Sequence, residues 1–432
     1  MRKEIQLRRQ SFIKQMSTNS AAIFFAAPEA VRSNDTHYPY RQNSDFWYLT
    51  HFNEPEAALV LIKERQEQVT TILFNRKKDT QAEIWTGYRL GQQAALNEIQ
   101  VDASYDFAEI MTVLPTLLSG KSILYHAPEQ YTYADQIIEK VITTLCQNNE
   151  QTYDPPKTII DWQPILHKMR MIKSAKEIAI MREAGKISAS AHKRAMQACQ
   201  PGLYEYQLEA EILHEFAIHG ARYPSYNTIV GGGNNACILH YDTNSDRLKE
   251  GDLVLIDAGC EYRYYAGDIT RTFPINGKFT QAQRDIYNIV LDAQNYAIKH
   301  LVVGSTIKAV NEHVIRIMLQ GLKKLNIVQG ELEQLIQDKA YLPFYMHGLG
   351  HWLGIDVHDV GSRDTVLEAG MVLTVEPGLY INKEANVPSQ YQGIGIRIED
   401  NILITEKGNE LLTSDAPKDP DEIERLMSKK SN

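Results

Sequence analysis

Nowhere in the 432 positions do about 18 apolar residues follow one another, so no segment is built to cross a bilayer as a helix. No block of lysine and arginine persists beyond a few residues and the formal charge is −9, which excludes the basic footprint of a nucleic-acid binder. Cysteine is scarce. Cys146, Cys199, Cys237 and Cys260 lie far apart and form no CxxC pair, so neither a zinc knuckle nor a disulfide framework is indicated. Such thiols fit a reducing, cytoplasmic setting. Internal repeats and low-complexity segments are lacking as well. Disorder is excluded by a hydrophobic content of 43% beside 23% charged residues. One segment, AAIFFAAPEA at positions 21–30, loosely mimics a secretory signal. Its apolar core is minimal and the polar run MSTNS interrupts before it, so it reads as a short buried strand.

What is present is a chain long enough for two or three cores. Residues 1–16 read as a basic helix, followed by strand patterns around Ile23, at 59–62 and at 71–74. The polar stretch CQNNEQTYDPPKT, positions 146–158, carries consecutive prolines Pro155 and Pro156, which favour an extended linker. The expected division is therefore a smaller mixed α/β domain over 1–160 and a second domain over 161–432. In the second, Ser174 and Glu177 stand at capping-box spacing, with Ile178, Met181, Ala184 and Ala191 on one helical face. Further helices are expected over 204–219, stopped by Gly220, and from Thr280, where Gln283 repeats the capping spacing. Strands are expected at 253–257, 268–273, 372–376 and 394–404. The triple glycine Gly231, Gly232, Gly233 lacks a following GK[ST] and reads as a turn rather than a phosphate cradle.

Four acids stand where strands should not hold them. Asp257 and Asp268 lie in LVLIDAGCEYRYYAGDITRTF, Glu376 ends MVLTVE before Pro377, and Glu399 interrupts IGIRIEDNILI. A hairpin centred near Tyr262 and Arg263 would set the two aspartates opposite each other on one face. Each acid alone is more often a surface group than a ligand; four together, with His351 nearby in sequence, reverse that judgement. Two like unit charges about 4 Å apart repel by about 4 kcal/mol at an effective dielectric near 20, so four clustered carboxylates need cations. Two divalent ions would cancel four negative charges, and an oxygen-rich set with one imidazole suits Mn²⁺ or a similar ion. Asp257, Asp268, His351, Glu376 and Glu399 are accordingly read as a dinuclear site.

The motifs IDAG, GDITRTFP, HGLGHWLGIDVHD, VEPGLY and GIRIED resemble those of the pita-bread metallopeptidases, and among them the aminopeptidase P family. The segment RQNSDFWYLTHFNEPEA, positions 41–57, resembles that family's N-terminal domain, so the likeness covers nearly the whole chain. The resemblance implies an α+β chain, with a C-terminal pita-bread fold behind the smaller domain. It also implies hydrolysis of the bond between an N-terminal residue and a following proline by a metal-bridging hydroxide. It assigns the five ligands named above, with Glu376 also shuttling a proton, and places His240, His347 and His358 against the substrate. Arg397 would brace the metal-side carboxylates, sharing a strand face with Glu399, and Asp35 matches a family residue linked to Arg397. Tyr380, Arg363 and Trp85 are candidates for substrate contact, Trp85 reaching a site that could be a neighbouring subunit's. Gly348 and Gly350 argue against an unbroken helix at HGLGH, and no Glu stands at 348, so this is no HExxH zinc helix. The implied partners are proline-containing peptides and further copies of the chain, as dimer or tetramer. Two other readings remain open: a prolidase restricted to Xaa-Pro dipeptides, and a pita-bread binding module without catalysis.

Overall fold

The structure, a computed structural model, describes residues 2–65, 68–147 and 154–428. Contacts divide the chain into two compact units, Met1–Met169 and Arg170–Asn432. Part of the linker expected around 146–158 lies outside the described residues, at 148–153; Pro155 and Pro156 have no regular structure.

The first unit is built on a six-stranded mixed sheet. Its order is Ala103–Asp106, Gln68–Asn75, Ala58–Arg65, Ser20–Phe25, Ile123–Tyr125, Thr158–Ile160. The apolar run that mimics a signal is the strand Ser20–Phe25, buried at every position, antiparallel to Ala58–Arg65 on one side and parallel to Ile123–Tyr125 on the other. A strand enclosed on both edges and both faces needs continuous rather than alternating apolar residues, and SAAIFF supplies them.

The second unit places helices around short antiparallel sheets. Ala175–Ala198 opens on the capping box expected at Ser174 and Glu177, and Gln281–His300 on that of Thr280 and Gln283. The inner faces of these two helices and of Glu205–Ile218 and Ile307–Lys324 meet strand residues such as Val254, Ile256, Leu373 and Ile396 in one core. Three sheets reach the interior: Ile229–Gly232 with Leu253–Asp257 and Thr270–Pro274; Val372–Val375 with Asp400–Thr405 and Gly408–Leu411; and Gly378–Ile381 with Ile394–Arg397.

Three expectations change in detail. The hairpin turns between Tyr262 and Tyr265, on Arg263 and Tyr264, both at positive φ as a type I′ turn demands. That shifts the register, so Asp257 pairs with Thr270 rather than Asp268. The strand expected at 394–404 is two strands, Ile394–Arg397 and Asp400–Thr405, in different sheets. Between them the Ile398 amide donates to the Pro377 carbonyl at 3.3 Å and that of Glu399 to the Thr270 carbonyl at 3.0 Å, so the chain passes from one sheet to the next. The triple glycine is no free turn: Gly231 and Gly232 end the strand Ile229–Gly232, and Gly233 begins a 3₁₀ turn to Cys237.

Candidate active site

The anomalous acids all stand at strand ends. Asp257 closes Leu253–Asp257, Asp268 precedes Thr270–Pro274, Glu376 follows Val372–Val375, and Glu399 fills the break between sheets. An end residue can turn its side chain out of the alternating pattern while its amide finds a partner elsewhere; the Glu376 amide donates to the Leu349 carbonyl at 2.8 Å. The result is a cavity of about 630 Å³ whose wall includes Asp257, Asp268, His351, Glu376 and Glu399.

Geometry within the cavity is tight. The Tyr226 hydroxyl lies 2.5 Å from both Asp257 Oδ1 and Asp268 Oδ1, so the two carboxylates converge on one point despite the shifted register. His351 Nε2 faces Asp268 Oδ2 at 3.3 Å and Glu376 Oε1 at 3.7 Å. Its Nδ1 lies 2.9 Å from the Trp352 carbonyl, which accepts that nitrogen's proton and leaves Nε2 turned toward the carboxylates. Glu399, 2% exposed, accepts from the Thr270 hydroxyl at 2.6 Å.

This grouping is short of positive charge. Burial, then Asp268, Glu376 and Asp257, push the Glu399 carboxyl well above the usual range. Glu376 is pushed up to about 7 by burial and by Asp268 and Asp257, against relief from His351 and Arg397. Burial opposes a charge on His351, but Asp268 and Glu376 outweigh it and push the imidazole up to about 9. Protons are thus drawn in where cations would serve. Asp268, His351 and Glu399 offer ligand atoms all within 4.8 Å of one another, and the donor set suits a divalent ion.

Beside the carboxylates runs a hydrogen-bonded chain. Arg397, 3% exposed, donates to Asp257 Oδ2 at 2.6 Å, to the Thr270 hydroxyl at 3.1 Å and to the Tyr380 hydroxyl at 2.8 Å. Tyr380 in turn donates to His347 Nε2 at 2.7 Å, and His347 Nδ1–H to the Gly348 carbonyl at 2.8 Å. Burial and the Arg397 charge lower the His347 imidazole to about 3, so it is neutral, as this chain of donors requires. Arg397 and Glu399, expected to share a strand face, meet at the Thr270 hydroxyl instead, because the strand ends at Arg397.

The other candidates are distributed as follows. His358 is exposed, its ring edge-on to His351 with centroids 4.4 Å apart. His240 and Arg363 are exposed and line the cavity. Two glycines make room for this wall. A Cβ at Gly348 would lie 2.8 Å from the Arg363 guanidinium carbon, and one at Gly350 would lie 2.1 Å from the Thr374 carbonyl oxygen. Asp35 and Trp85 belong to the first unit: Asp35 lies in the exposed turn between Val31–Ser33 and Thr36–His37, and Trp85, 87% exposed, is on the helix Thr80–Thr86.

Sequence reasoning missed Tyr226, Thr270 and Asn401. Thr270 stands two residues after Asp268 in GDITRTF, so an alternation count alone would place both on one face. Asn401 holds the Asp268 backbone from both sides, Oδ1 accepting from its amide at 3.0 Å and Nδ2 donating to its carbonyl at 2.5 Å. Tyr226, in the loop YPSYNT, carries no signal of pattern.

Comparison with known proteins bears on the family of the chain. Residues 179–406 match the model of metallopeptidase family M24, and residues 5–125 that of the aminopeptidase P N-terminal domain. The Xaa-Pro aminopeptidase of Escherichia coli K12 is 57% identical over 430 residues, covering 99% of this chain and 98% of that protein. Zinc-substituted E. coli aminopeptidase P in complex with product superimposes with a TM-score of 0.99 at 56% identity, covering 100% of this chain and 99% of that one. The same E. coli enzyme with the inhibitor Pro-Leu gives 0.98 at 57% identity, covering 99% and 98%. Likeness of this extent, in sequence and in backbone, makes the second unit a pita-bread domain and the chain a member of metallopeptidase family M24.

Proposed function

We propose that this chain is a metal-dependent aminopeptidase that releases the N-terminal residue from peptides with proline in second place. The observation that carries the reading is the meeting of Asp257, Asp268, His351, Glu376 and Glu399 on one cavity wall, beside the Arg397–Tyr380–His347 chain. Residues 1–160 form the N-terminal domain in this reading and 161–432 carry catalysis. The five residues would hold two divalent ions, most simply Mn²⁺ given four carboxylates and a single imidazole. Bound there, such ions supply Lewis acidity and lower the pKa of water from about 15.7 to about 7.

The chain's own groups do the rest. Glu376 takes a proton from the attacking water and hands it to the proline nitrogen as the C–N bond breaks, leaving a carboxylic acid and a secondary amine. That nitrogen carries no hydrogen in the peptide, so it donates no hydrogen bond, and a cavity of about 630 Å³ has room for the ring beside the carboxylates. In this reading His240, His347 and His358 hold the substrate or polarise its carbonyl, and Arg397 fixes Asp257 and Tyr380. Tyr380, Arg363, Trp85 and Asp35 are proposed as further groups for holding the substrate or bracing the site.

Two finer points accompany this reading. Cys146, Cys199, Cys237 and Cys260 are all free thiols, which supports a cytoplasmic enzyme. No helix among the described residues is long and apolar enough to cross a membrane. The helix Thr80–Thr86 buries none of its residues, and Ile84, Trp85 and nearby Tyr88 stand 73%, 87% and 92% exposed, which supports a homo-oligomer.

The test is metal-stripped protein reloaded with Mn²⁺ and assayed on Xaa-Pro-Yaa tripeptides and Xaa-Pro dipeptides. Turnover of the tripeptides is expected. Turnover confined to dipeptides would make the chain a prolidase, and none with any divalent ion would make it a binding module.

A further inference from the structure

Glu205 opens the helix Glu205–Ile218 and is 0% exposed, yet no charged partner among the described residues explains it. Its carboxylate instead accepts four hydrogen bonds from one loop. Oε1 takes the Gly232 amide at 2.8 Å and Asn235 Nδ2 at 3.0 Å, and Oε2 takes the Tyr241 hydroxyl and the Asp246 amide, each at 2.8 Å. Four lone-pair positions are all a carboxylate has, so the group is saturated by donors that span residues 232–246. Its own amide closes the circle by donating to the Asp246 carbonyl at 3.0 Å.

The same loop carries His240, whose ring makes no hydrogen bond to any of the described residues and stands exposed on the cavity wall. From 238 to 245 the loop has no helix or strand to stiffen it. Its path beside His240 is set by neighbours on either side: Leu239, which packs with Ile229, Leu255 and Tyr380, and Tyr241, tied to Glu205. Asn244 adds a pin further along, accepting from the Val230 amide at 2.9 Å and donating to the Thr228 carbonyl at 2.8 Å.

We propose that Glu205 is a positioning residue: the buried carboxylate gathers the 232–246 loop and so fixes where His240 meets the substrate. The inference rests on the proposed peptidase reading, and its test separates the two. Glu205→Gln keeps the shape but sets an NH₂ against amide donors. In the metal-loaded, full-length protein it should lower kcat/KM on an Xaa-Pro-Yaa peptide by about 10- to 100-fold, as small displacements of a reacting geometry do, with metal stoichiometry unchanged. The decisive readout is a double-mutant cycle with His240→Ala. If Glu205 acts through His240, Glu205→Gln costs little further activity on the His240→Ala background. Tyr241→Phe, which removes one of the four donors, should show the same dependence at smaller size and serves if Glu205→Gln does not fold. Additive losses, lost metal, or an unchanged kcat/KM would overturn the proposal. Histidine ring NMR spectra, with the His240 signals assigned by their loss in His240→Ala, read the position without turnover. A wild-type protein inactive on every Xaa-Pro peptide refutes the peptidase reading, whereas His240 signals unmoved in Glu205→Gln refute the positioning.

Discussion

Asp359→Asn tests whether the loop bearing His351 and His358 is held by buried charge. The Asp359 carboxylate, 1% exposed, faces Arg170 Nη2 at 2.5 Å and Lys173 Nζ at 3.0 Å, both on cations no more than 2% exposed. Burial would raise its pKa, but Lys173 and Arg170 outweigh that and hold it below the usual range. At an effective dielectric near 20 the gross attractions at those distances are about 6.6 and about 5.5 kcal/mol. The net loss is smaller because the cations were desolvated to make the contact, and removing one partner of a buried pair costs about 3–5 kcal/mol. The loss is asymmetric. Arg170 keeps Asp356 at 2.8 Å, whereas Lys173 keeps no carboxylate partner among the described residues. Urea unfolding followed by near-ultraviolet circular dichroism should therefore show Asp359→Asn destabilised by about 3–5 kcal/mol, with Lys173→Met in the same chain recovering much of it. Metal content should persist, since His351 is held separately by the Thr374 hydroxyl, at 3.0 Å from its amide, and by the Thr374 amide, at 2.9 Å from its carbonyl. A shift below about 0.5 kcal/mol, or a double variant no more stable than Asp359→Asn, would refute the reasoning.

Asp268→Asn removes a carboxylate from the proposed ligand set and should lower the metal bound per chain, read by elemental analysis after dialysis; unchanged stoichiometry counts against the assignment. His358→Ala should keep its metal and lose most turnover, because that ring faces the cavity from an exposed position beside His351. Loss of metal in this variant would contradict a substrate role. His192, 0% exposed, is lowered to about 4 by burial, with Nε2 at 3.0 Å from the Ala258 carbonyl and Nδ1 without a well-formed hydrogen bond among the described residues. The unfolded chain then takes up this proton first. The stability tied to a neutral His192 is complete above about pH 6.5 and declines as pH falls toward about 4, by up to about 1.4 kcal/mol per pH unit. His192→Gln should flatten that limb by about one proton in a pH series of urea midpoints, and an identical acid limb would show that the group does not titrate there.

What the sequence made legible follows from how each signal is written. Acids inside apolar runs are costly wherever they fall, so Asp257, Asp268 and Glu399 announced themselves before any contact was known. The capping boxes at Ser174 and Thr280 are local, complete within four residues, and were readable for that reason. Register is not local. Two positive-φ residues, Arg263 and Tyr264, fix the hairpin, yet neither is the glycine or asparagine that advertises such a turn. The break at Glu399 hides for a related reason. IGIRIEDNILI is apolar enough to pass as one strand, and only the carbonyls of Pro377 and Thr270, remote in sequence, divert the backbone into a second sheet. Tyr226 and Thr270 reach Asp257 and Glu399 across 31 and 129 positions, with side chains common on any surface. A sequence therefore shows the groups that are expensive to bury, while the neutral hydroxyls and amides that make the burial tolerable stay silent until the chain has folded around them.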